Sequence, residues 1–262
     1  MTGINKFFGL KIFSKYLKRD VIVDIVLPQK KSYVGKRIPV LYMNDGQDYG
    51  ELKMGEILKD FYLKKNFEFV YVGIHCNKDR LYEYGTSGIP DYKGRGNKAQ
   101  AHSDFVIKEL MPWVEANFPA STEKESRFIA GFSLGGLSAL DILWEHPSLF
   151  SKVGVFSGSF WWRKKEFRDG YDDDKDRIMH QKVRSGSFHE GLSFWFECGT
   201  KDEKSDRNNN GIIDSIDDTV DLMNELKLKG YKKVTYLEVE DGEHNFNTWR
   251  KVMPNFLDWL LA

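Results

Sequence analysis

The residue with the most specific chemical signal is Ser133, which lies in the segment Gly131-Phe132-Ser133-Leu134-Gly135-Gly136. An apolar run over residues 127–130 precedes this segment, and apolar residues at helical spacing follow it. A G-x-S-x-G pattern between a strand and a helix is typical of a nucleophile elbow, a strained turn that raises the serine hydroxyl above the edge of a sheet. The backbone N–H of Leu134 would lie at the helix start, where partial positive charge favours an oxyanion. We therefore expect Ser133 to be a nucleophile and Leu134 to supply one oxyanion-hole donor.

Residues that could activate Ser133 follow it in the chain. A serine hydroxyl needs a neighbouring base, and the base needs an acid that fixes its tautomer and stabilises its charge. After a nucleophile elbow, these partners come in the order serine, acid, histidine. Asp202 follows a predicted strand that ends at Cys198, and His244 follows the last predicted strand, which ends at Val239. Since parallel strands end at one edge of a sheet, the pattern predicts a triad of Ser133, Asp202 and His244.

The acid and the base both have competitors. Glu203 shares the turn of Asp202, and Asp206 follows soon after, so both are alternative acids. Of six histidines, only His244 follows the last predicted strand; the others are His75, His102, His146, His180 and His189. Each of these carboxylates, taken singly, could equally be a solvated surface group.

A second oxyanion donor is expected in the loop after an early strand. The run Leu41-Tyr42-Met43 leads into Asn44-Asp45-Gly46-Gln47-Asp48, which is a strand-end loop of this kind. We expect the backbone N–H of Gln47, or alternatively that of Gly46, to be the donor. An ordinary strand-to-helix turn would have a similar sequence.

A second chemical pattern follows Asp202 closely. Residues 206–217 match the spacing of a Ca²⁺-binding loop, with oxygen side chains at positions one, three and five, glycine at six and an acid at twelve. The predicted ligands are Asp206, Asn208, Asn210, Ile212, Asp214 and Asp217. The last position is Asp rather than Glu, and no clear helix precedes the loop. The alternative is a polar turn held by Asn and Asp side chains that bond to the local backbone.

Composition narrows the class of protein. The 262 residues include 39 Lys and Arg and 39 Asp and Glu, so no overall charge favours nucleic acid or an anionic membrane. The two cysteines do not form a disulfide framework or a metal-type pair. The N-terminal residues alternate apolar side chains with lysines and contain no uninterrupted apolar run, so we expect neither a signal peptide nor a membrane span. The expected location is therefore the cytoplasm.

The elements that must position these residues alternate along the chain. Seven short apolar runs predict buried strands, over residues 21–27, 39–43, 67–74, 127–130, 153–156, 194–198 and 234–239. Helical spacing of apolar residues appears between them, around Val106–Trp113, Leu137–Trp144, Val220–Leu226 and Trp249–Leu260, with a bend expected at Pro112 and a helix end at Gly230. Strands that alternate with helices predict a single α/β domain with a mostly parallel sheet covered on both faces. Residues 158–192 do not follow this alternation of strands and helices, and we interpret them as a lid insertion or, equally, as a solvated surface segment.

Together these features resemble the putative esterase group of α/β-hydrolases, which includes esterase D, enterochelin esterase and some feruloyl and acetylxylan esterases. The resemblance covers nearly the whole chain and rests on Leu41–Gln47, Arg80 with Glu83 and Tyr84, Glu109–Pro112, the Ser133 elbow, Ser157–Trp162, and Gly242-x-His244 with Trp249. It implies an α/β-hydrolase fold and hydrolysis of a small-molecule carboxylic ester through a Ser133 acyl-enzyme, with no cofactor required. It also implies that His244 is the base and Asp202 the acid.

Substrate recognition is less determined. Phe160, Trp161 and Trp162 follow a strand end and could stack against an aromatic group, and Arg80 could meet an anionic group. Packing of the aromatic residues within the insertion and a surface ion pair for Arg80 are the alternatives. An acyltransferase that uses the same acyl-enzyme, and a ligand-binding protein that keeps the fold without catalysis, are the alternative functions. The sequence specifies neither the substrate nor the oligomeric state.

Overall fold

The structure, a computed structural model, describes residues 3–29, 33, 35–65 and 67–261. The strands among these residues are β1 (Ile4–Ser14), β2 (Arg19–Pro28), β3 (Val40–Asn44), β4 (Val70–Ile74), β5 (Arg127–Phe132), β6 (Lys152–Phe156), β7 (Ser193–Lys201) and β8 (Val234–Glu243). The α-helices are α1 (Met54–Lys64), α2 (Arg80–Glu83), α3 (Ala99–Phe105), α4 (Met111–Asn117), α5 (Leu134–Glu145), α6 (Asp173–Asp176), α7 (Ile178–Ser185), α8 (Asp214–Leu228) and α9 (Phe246–Trp259).

The strands form one sheet in the order β1-β2-β4-β3-β5-β6-β7-β8. The pairs from β4 through β8 are parallel, whereas β1 pairs with β2, and β2 with β4, in antiparallel fashion. This arrangement confirms the predicted α/β-hydrolase fold with a mostly parallel sheet. Because the parallel strands share a direction, the loops after β3, β5, β6, β7 and β8 all meet at one edge of the sheet.

Helices cover both faces of the sheet, as predicted. Side chains alternate along each strand, so that Ile129 of β5 joins the core with α5 and α8, and its neighbours Phe128 and Ala130 join the core with α1 and α9. Gly230, at a φ of 109°, follows α8 in the left-handed region that favours glycine, and it ends the helix where expected. A π-helical segment, Val106–Leu110, precedes Pro112, which lies in the first turn of α4; the helix is therefore irregular near the predicted bend.

The edge strand β1 was not predicted. Its apolar residues are interrupted by Asn5, Lys6, Gly9 and Lys11, and most of its residues are exposed or half-buried, so it lacks the apolar run by which the other strands were identified. Lysines among β-branched and aromatic residues were the available signal for an edge strand. Helix α1 was also not predicted. None of the helices in the described part of the chain combines the length and apolar character that a membrane span needs.

The insertion at residues 158–192 contains α6 and α7, and its inner side chains are part of the core. Ile178, Met179 and Val183 are fully buried with α5 and α8. Arg177 extends the contact through ion pairs with Asp218 and Asp221 of α8. The segment is therefore packed against the domain along α7, and a lid function for it stays a prediction.

Candidate active site

Ser133 occupies a strained position between β5 and α5. Its backbone has φ 53° and ψ −123°, a region that non-glycine residues rarely adopt. Its N–H donates to the carbonyl of Phe156 at 2.8 Å, which fixes the turn against the end of β6. A Cβ on Gly131 would lie 2.3 Å from the carbonyl oxygen of Gly135, so only glycine permits the helix to start so close to the strand. The local geometry is that of the expected nucleophile elbow.

The loop after β3 packs directly against this elbow. The Asn44 side-chain amide donates to the carbonyl of Gly135 at 2.9 Å, and Asp45 adopts a left-handed backbone with φ 61°. Gln47 then lies in a short 3₁₀ turn, Gly46–Tyr49. The N–H groups at the start of a helix have no partner within it, and Leu134 is the first residue of α5. An oxyanion hole formed by the N–H groups of Leu134 and Gln47 stays a prediction.

The predicted triad residues surround one cavity of about 280 Å³. Its walls are formed by Ser133, Ser157, Gly158, Ser159, Trp161, Asp202, Glu203, Ser215 and His244. Ser133 and Asp202 are 69 positions apart in sequence, and Asp202 and His244 are 42 positions apart, yet all three line this cavity.

His244 and Asp202 face each other within this cavity. The imidazole Nδ1 lies 4.0 Å from the Asp202 Oδ2, with the histidine side chain 38% exposed and the carboxylate fully buried. Burial lowers the pKa of His244 below its usual value, Asp202 opposes this shift, and Arg80 adds to it. The pKa of Asp202 is raised by burial, against the effects of Ser157 and His244. The neutral imidazole that a general base requires is therefore the favoured form at pH 7.

The two alternative acids have other partners. Glu203 reaches the cavity but bonds to Ser205 and to the backbone of Ser215. Asp206 accepts hydrogen bonds from the backbone N–H groups of Asn210 and Gly211. Of the three carboxylates, only that of Asp202 lies within 4.0 Å of the imidazole.

Arg80 lies close to the site but binds a neighbouring carboxylate. Its Nε and Nη2 donate to the two oxygens of Asp45 at 2.7 and 2.8 Å. Asp45 is only 2% exposed, and it also accepts from the side chains of Gln47 and Cys76. These contacts favour the ion-pair alternative for Arg80, because its Nε and Nη2 hold the loop that carries Gln47, while contact with an anionic substrate group stays a prediction.

The three consecutive aromatic residues separate into two roles. Phe160 and Trp162 are fully buried in the core, so neither offers a surface to a substrate. The edge of Trp162 lies close to Gly85 and Gly96, where a Cβ would approach the ring to 2.9 Å. Of the three, Trp161 alone lines the cavity. The structure thus corrects the expectation for Phe160 and Trp162, while substrate contact by Trp161 stays a prediction.

Ser159 is a site residue that the sequence did not identify. Its Oγ lies 3.3 Å from the Oγ of Ser133, and its backbone N–H donates to the carbonyl of Ser133 at 3.2 Å. It follows β6, the strand beside the elbow strand in the sheet. Its position one loop from the nucleophile was the available signal, but it becomes visible only when the strand order is known.

The predicted calcium loop is held by its own side chains. Carboxylate and amide oxygens of Asp206, Asn208 and Asn210 accept hydrogen bonds from backbone N–H groups within the loop. Asp214 pairs with the Arg207 guanidinium at 3.1 Å. Among the residues that the structure describes, no group of three or more His, Cys, Asp or Glu is placed to hold a metal ion. This is the geometry of the polar-turn alternative, and calcium binding by the six predicted ligands, which also include Ile212 and Asp217, stays a prediction.

Comparison with known proteins identifies the family. The profile of the family described as Putative esterase matches residues 14–260. The uncharacterized protein YbbA of Bacillus subtilis (strain 168) is 25% identical over 242 residues, which is 90% of this chain and 90% of that protein. The iron(III) enterobactin esterase of Escherichia coli (strain K12) is 29% identical over 164 residues, which is 61% of this chain and 36% of that protein.

The fold agrees with this assignment. The crystal structure of an enterobactin esterase from Shigella flexneri superposes with a TM-score of 0.75 at 22% identity and covers 98% of this chain. This chain spans 59% of that structure and 36% of the Escherichia coli enterobactin esterase. The chain thus belongs to the Putative esterase family, and it is an ester hydrolase with an α/β-hydrolase fold.

Proposed function

We propose that this chain hydrolyses a small-molecule carboxylic ester through an acyl-enzyme on Ser133, with His244 as general base and Asp202 as the acid that orients it. The observation that carries the proposal is the shared cavity. A serine held at φ 53°, an imidazole and a fully buried carboxylate surround one space of about 280 Å³. These are the three groups that nucleophilic acyl transfer requires.

In the first half-reaction, His244 takes the proton of Ser133 Oγ as this oxygen attacks the ester carbonyl carbon. Nδ1 is the nitrogen nearest Asp202, which leaves Nε2 for Ser133. The tetrahedral oxyanion would accept hydrogen bonds from the N–H groups of Leu134 and Gln47. The imidazolium then gives its proton to the departing alkoxide, and an alcohol leaves.

In the second half-reaction, water replaces the alcohol. His244 removes a proton from the water as its oxygen attacks the acyl carbon, and Ser133 leaves with that proton as the acid is released. The buried carboxylate of Asp202 stabilises the imidazolium in both halves. The distance of 4.0 Å to Nδ1 is longer than a hydrogen bond, and such contacts often shorten only when a substrate is bound.

Substitution of the three residues tests the proposal. We expect Ser133→Ala and His244→Ala each to lower kcat for p-nitrophenyl acetate by about a thousand-fold or more, and Asp202→Asn by a similar factor. Ser187→Ala is the matched control, because Ser187 is an exposed serine beside a glycine. Turnover by Ser133→Ala close to that of the wild type would refute the proposal.

The same assay separates hydrolysis from transfer. Because water or an alcohol can attack the same acyl-enzyme, added alcohol acceptors compete with water for the acyl group. We expect the free acid to remain the main product at low millimolar acceptor concentrations. A transferred ester as the main product would instead identify an acyltransferase.

A further inference from the structure

A second buried carboxylate lies behind Asp202. Glu197 is in the middle of β7, opposite Phe156 of β6, and it is fully buried. An ionised carboxylate at such a position needs a cation or several hydrogen-bond donors. Its carboxyl group contacts the Ser157 hydroxyl, 3.5 Å from Oε2, while Oε1 has no hydrogen-bond partner among the residues that the structure describes. The chemistry of the position therefore favours the neutral carboxylic acid.

Ser157 is held rigidly between the two carboxyl groups. It follows β6 with a left-handed backbone of φ 47°, and its N–H donates to the carbonyl of Glu197 at 2.8 Å. The indole Nε1 of Trp249 donates to its hydroxyl oxygen at 2.9 Å. Ser157 also lines the cavity with Asp202, and its hydroxyl bonding lowers the pKa of that carboxyl group.

The direction of the Ser157 proton follows from counting donors and acceptors. A serine hydroxyl has two acceptor positions and one proton to donate. The Trp249 indole fills one acceptor position. Ser157 would donate to Glu197 Oε2 if that carboxyl group were ionised, but a protonated Glu197 donates instead and fills the other acceptor position. The single proton of Ser157 is then left for Asp202, whose two buried oxygens receive no hydrogen bond from another residue in the described part of the chain.

We propose that Ser157 and Glu197 are positioning residues. Neutral Glu197 and the Trp249 indole direct the Ser157 proton to the Asp202 carboxylate, and this hydrogen bond orients the carboxylate toward His244. We call this chain of contacts, from Glu197 through Ser157 to Asp202, the relay. This inference rests on the triad proposed above. The triad itself requires neither a serine with a left-handed backbone at position 157 nor a buried acid at position 197, and the inference gives both residues a function. Neither residue touches the reacting atoms.

The relay should be lost at alkaline pH, when Glu197 ionises. Burial, reinforced by the charge of Asp202, raises the pKa of Glu197 to about 8. Once Glu197 ionises, it no longer donates to Ser157; the Ser157 proton can turn toward it, and a second anion lies beside Asp202. The other titratable neighbours do not ionise in this range, since the pKa values of Cys198 and Tyr236 are both raised well above their usual values by burial.

Three variants and a pH profile test the relay, with p-nitrophenyl acetate as the substrate and Ser133→Ala as the blank. We expect Ser157→Ala to lower kcat by about ten- to hundred-fold with KM within two-fold, as for loss of a hydrogen bond to a charged group. Glu197→Gln keeps a neutral donor, so its kcat should fall by only a few-fold. Glu197→Met removes the donor and should lose about ten-fold or more.

The pH profile separates this role from a purely structural one. Wild-type kcat/KM should decline above about pH 8, and Glu197→Gln should lack this decline because its amide does not ionise. Glu238→Gln, an exposed carboxylate on the neighbouring strand β8, is the control and should keep the decline. Circular dichroism melting checks folding, and if Ser157→Ala does not fold, the Glu197→Gln profile decides.

A Glu197→Gln profile that keeps the alkaline decline, or a folded Ser157→Ala with kcat within two-fold of the wild type, would overturn the relay. Turnover that persists in Ser133→Ala would instead overturn the proposed function. The two failures are therefore distinguished in the same set of measurements.

Discussion

Removal of Arg80 should destabilise the protein and slow catalysis without weakening substrate binding. Two charge-assisted hydrogen bonds join Arg80 to Asp45, at 2.7 and 2.8 Å. The Asp45 side chain is 2% exposed, and the Arg80 side chain is 30% exposed. Bonds of this type contribute about 1.5–3 kcal/mol each in buried settings, and partial exposure of Arg80 reduces the total. We expect Arg80→Ala to lower the free energy of unfolding by about 2–3 kcal/mol.

The catalytic consequence follows from what Asp45 holds in place. Asp45 and Gln47 are in one loop and share a side-chain hydrogen bond of 3.2 Å. If that loop shifts, the Gln47 N–H moves away from the oxyanion, and kcat should fall by about ten- to hundred-fold, less than for outright removal of a donor. Because the charge of Arg80 lowers the pKa of His244, the acid limb of kcat/KM should also move to higher pH.

Urea denaturation and steady-state kinetics with p-nitrophenyl acetate measure these effects. Arg168→Ala is the matched control, since its ion pair with Glu166 is largely exposed and should be worth less than about 0.5 kcal/mol. The double variant Arg80→Ala with Asp45→Ala should lose less than the sum of the single variants. Unchanged stability together with a higher KM alone would contradict this role and would indicate that Arg80 binds the substrate.

Three further outcomes follow from the structure. Because burial holds the pKa of His244 below its usual value of about 6.5, kcat/KM should be at its plateau at pH 7 and should fall only as pH drops below about 6.5; a midpoint above 7 would contradict this. Gly131→Ala places a Cβ 2.3 Å from a backbone oxygen and should cost about 1–3 kcal/mol in urea denaturation, whereas Gly50→Ala, with open space around it, should not destabilise. If the loop 206–217 is the self-bonded polar turn, EGTA should leave the melting temperature unchanged; a drop of several degrees that Ca²⁺ reverses would establish the predicted calcium site instead.

Much of the fold could be predicted from the sequence, because most strands of the sheet are rich in apolar residues. Runs rich in apolar residues identified β2 through β8, and the elbow marked the junction of β5 and α5. The edge strand β1 was missed because a half-exposed strand needs no apolar run. The order of the residues along the chain also predicted that Ser133, Asp202 and His244 lie close together, because parallel strands end at one edge of the sheet, and all three line one cavity.

What the sequence could not provide is the direction of side chains. Trp161 and Trp162 are adjacent, yet one lines the cavity and the other is buried, because the chain turns between them. The ion pair of Arg80 could not be assigned to a partner because Asp45 lies 35 residues away in sequence. Ser159 and Glu197 became candidates only once the strand order placed β6 between β5 and β7.

If Ser133 is the nucleophile, it carries the acyl group during turnover. Rapid acid quench of the enzyme with p-nitrophenyl acetate, followed by peptide mass spectrometry, detects this group. We expect an acetyl adduct on the peptide that contains Ser133, formed within the first turnover and absent from Ser133→Ala. Steady turnover with no adduct on that peptide, or an adduct on another residue that persists in Ser133→Ala, would contradict it.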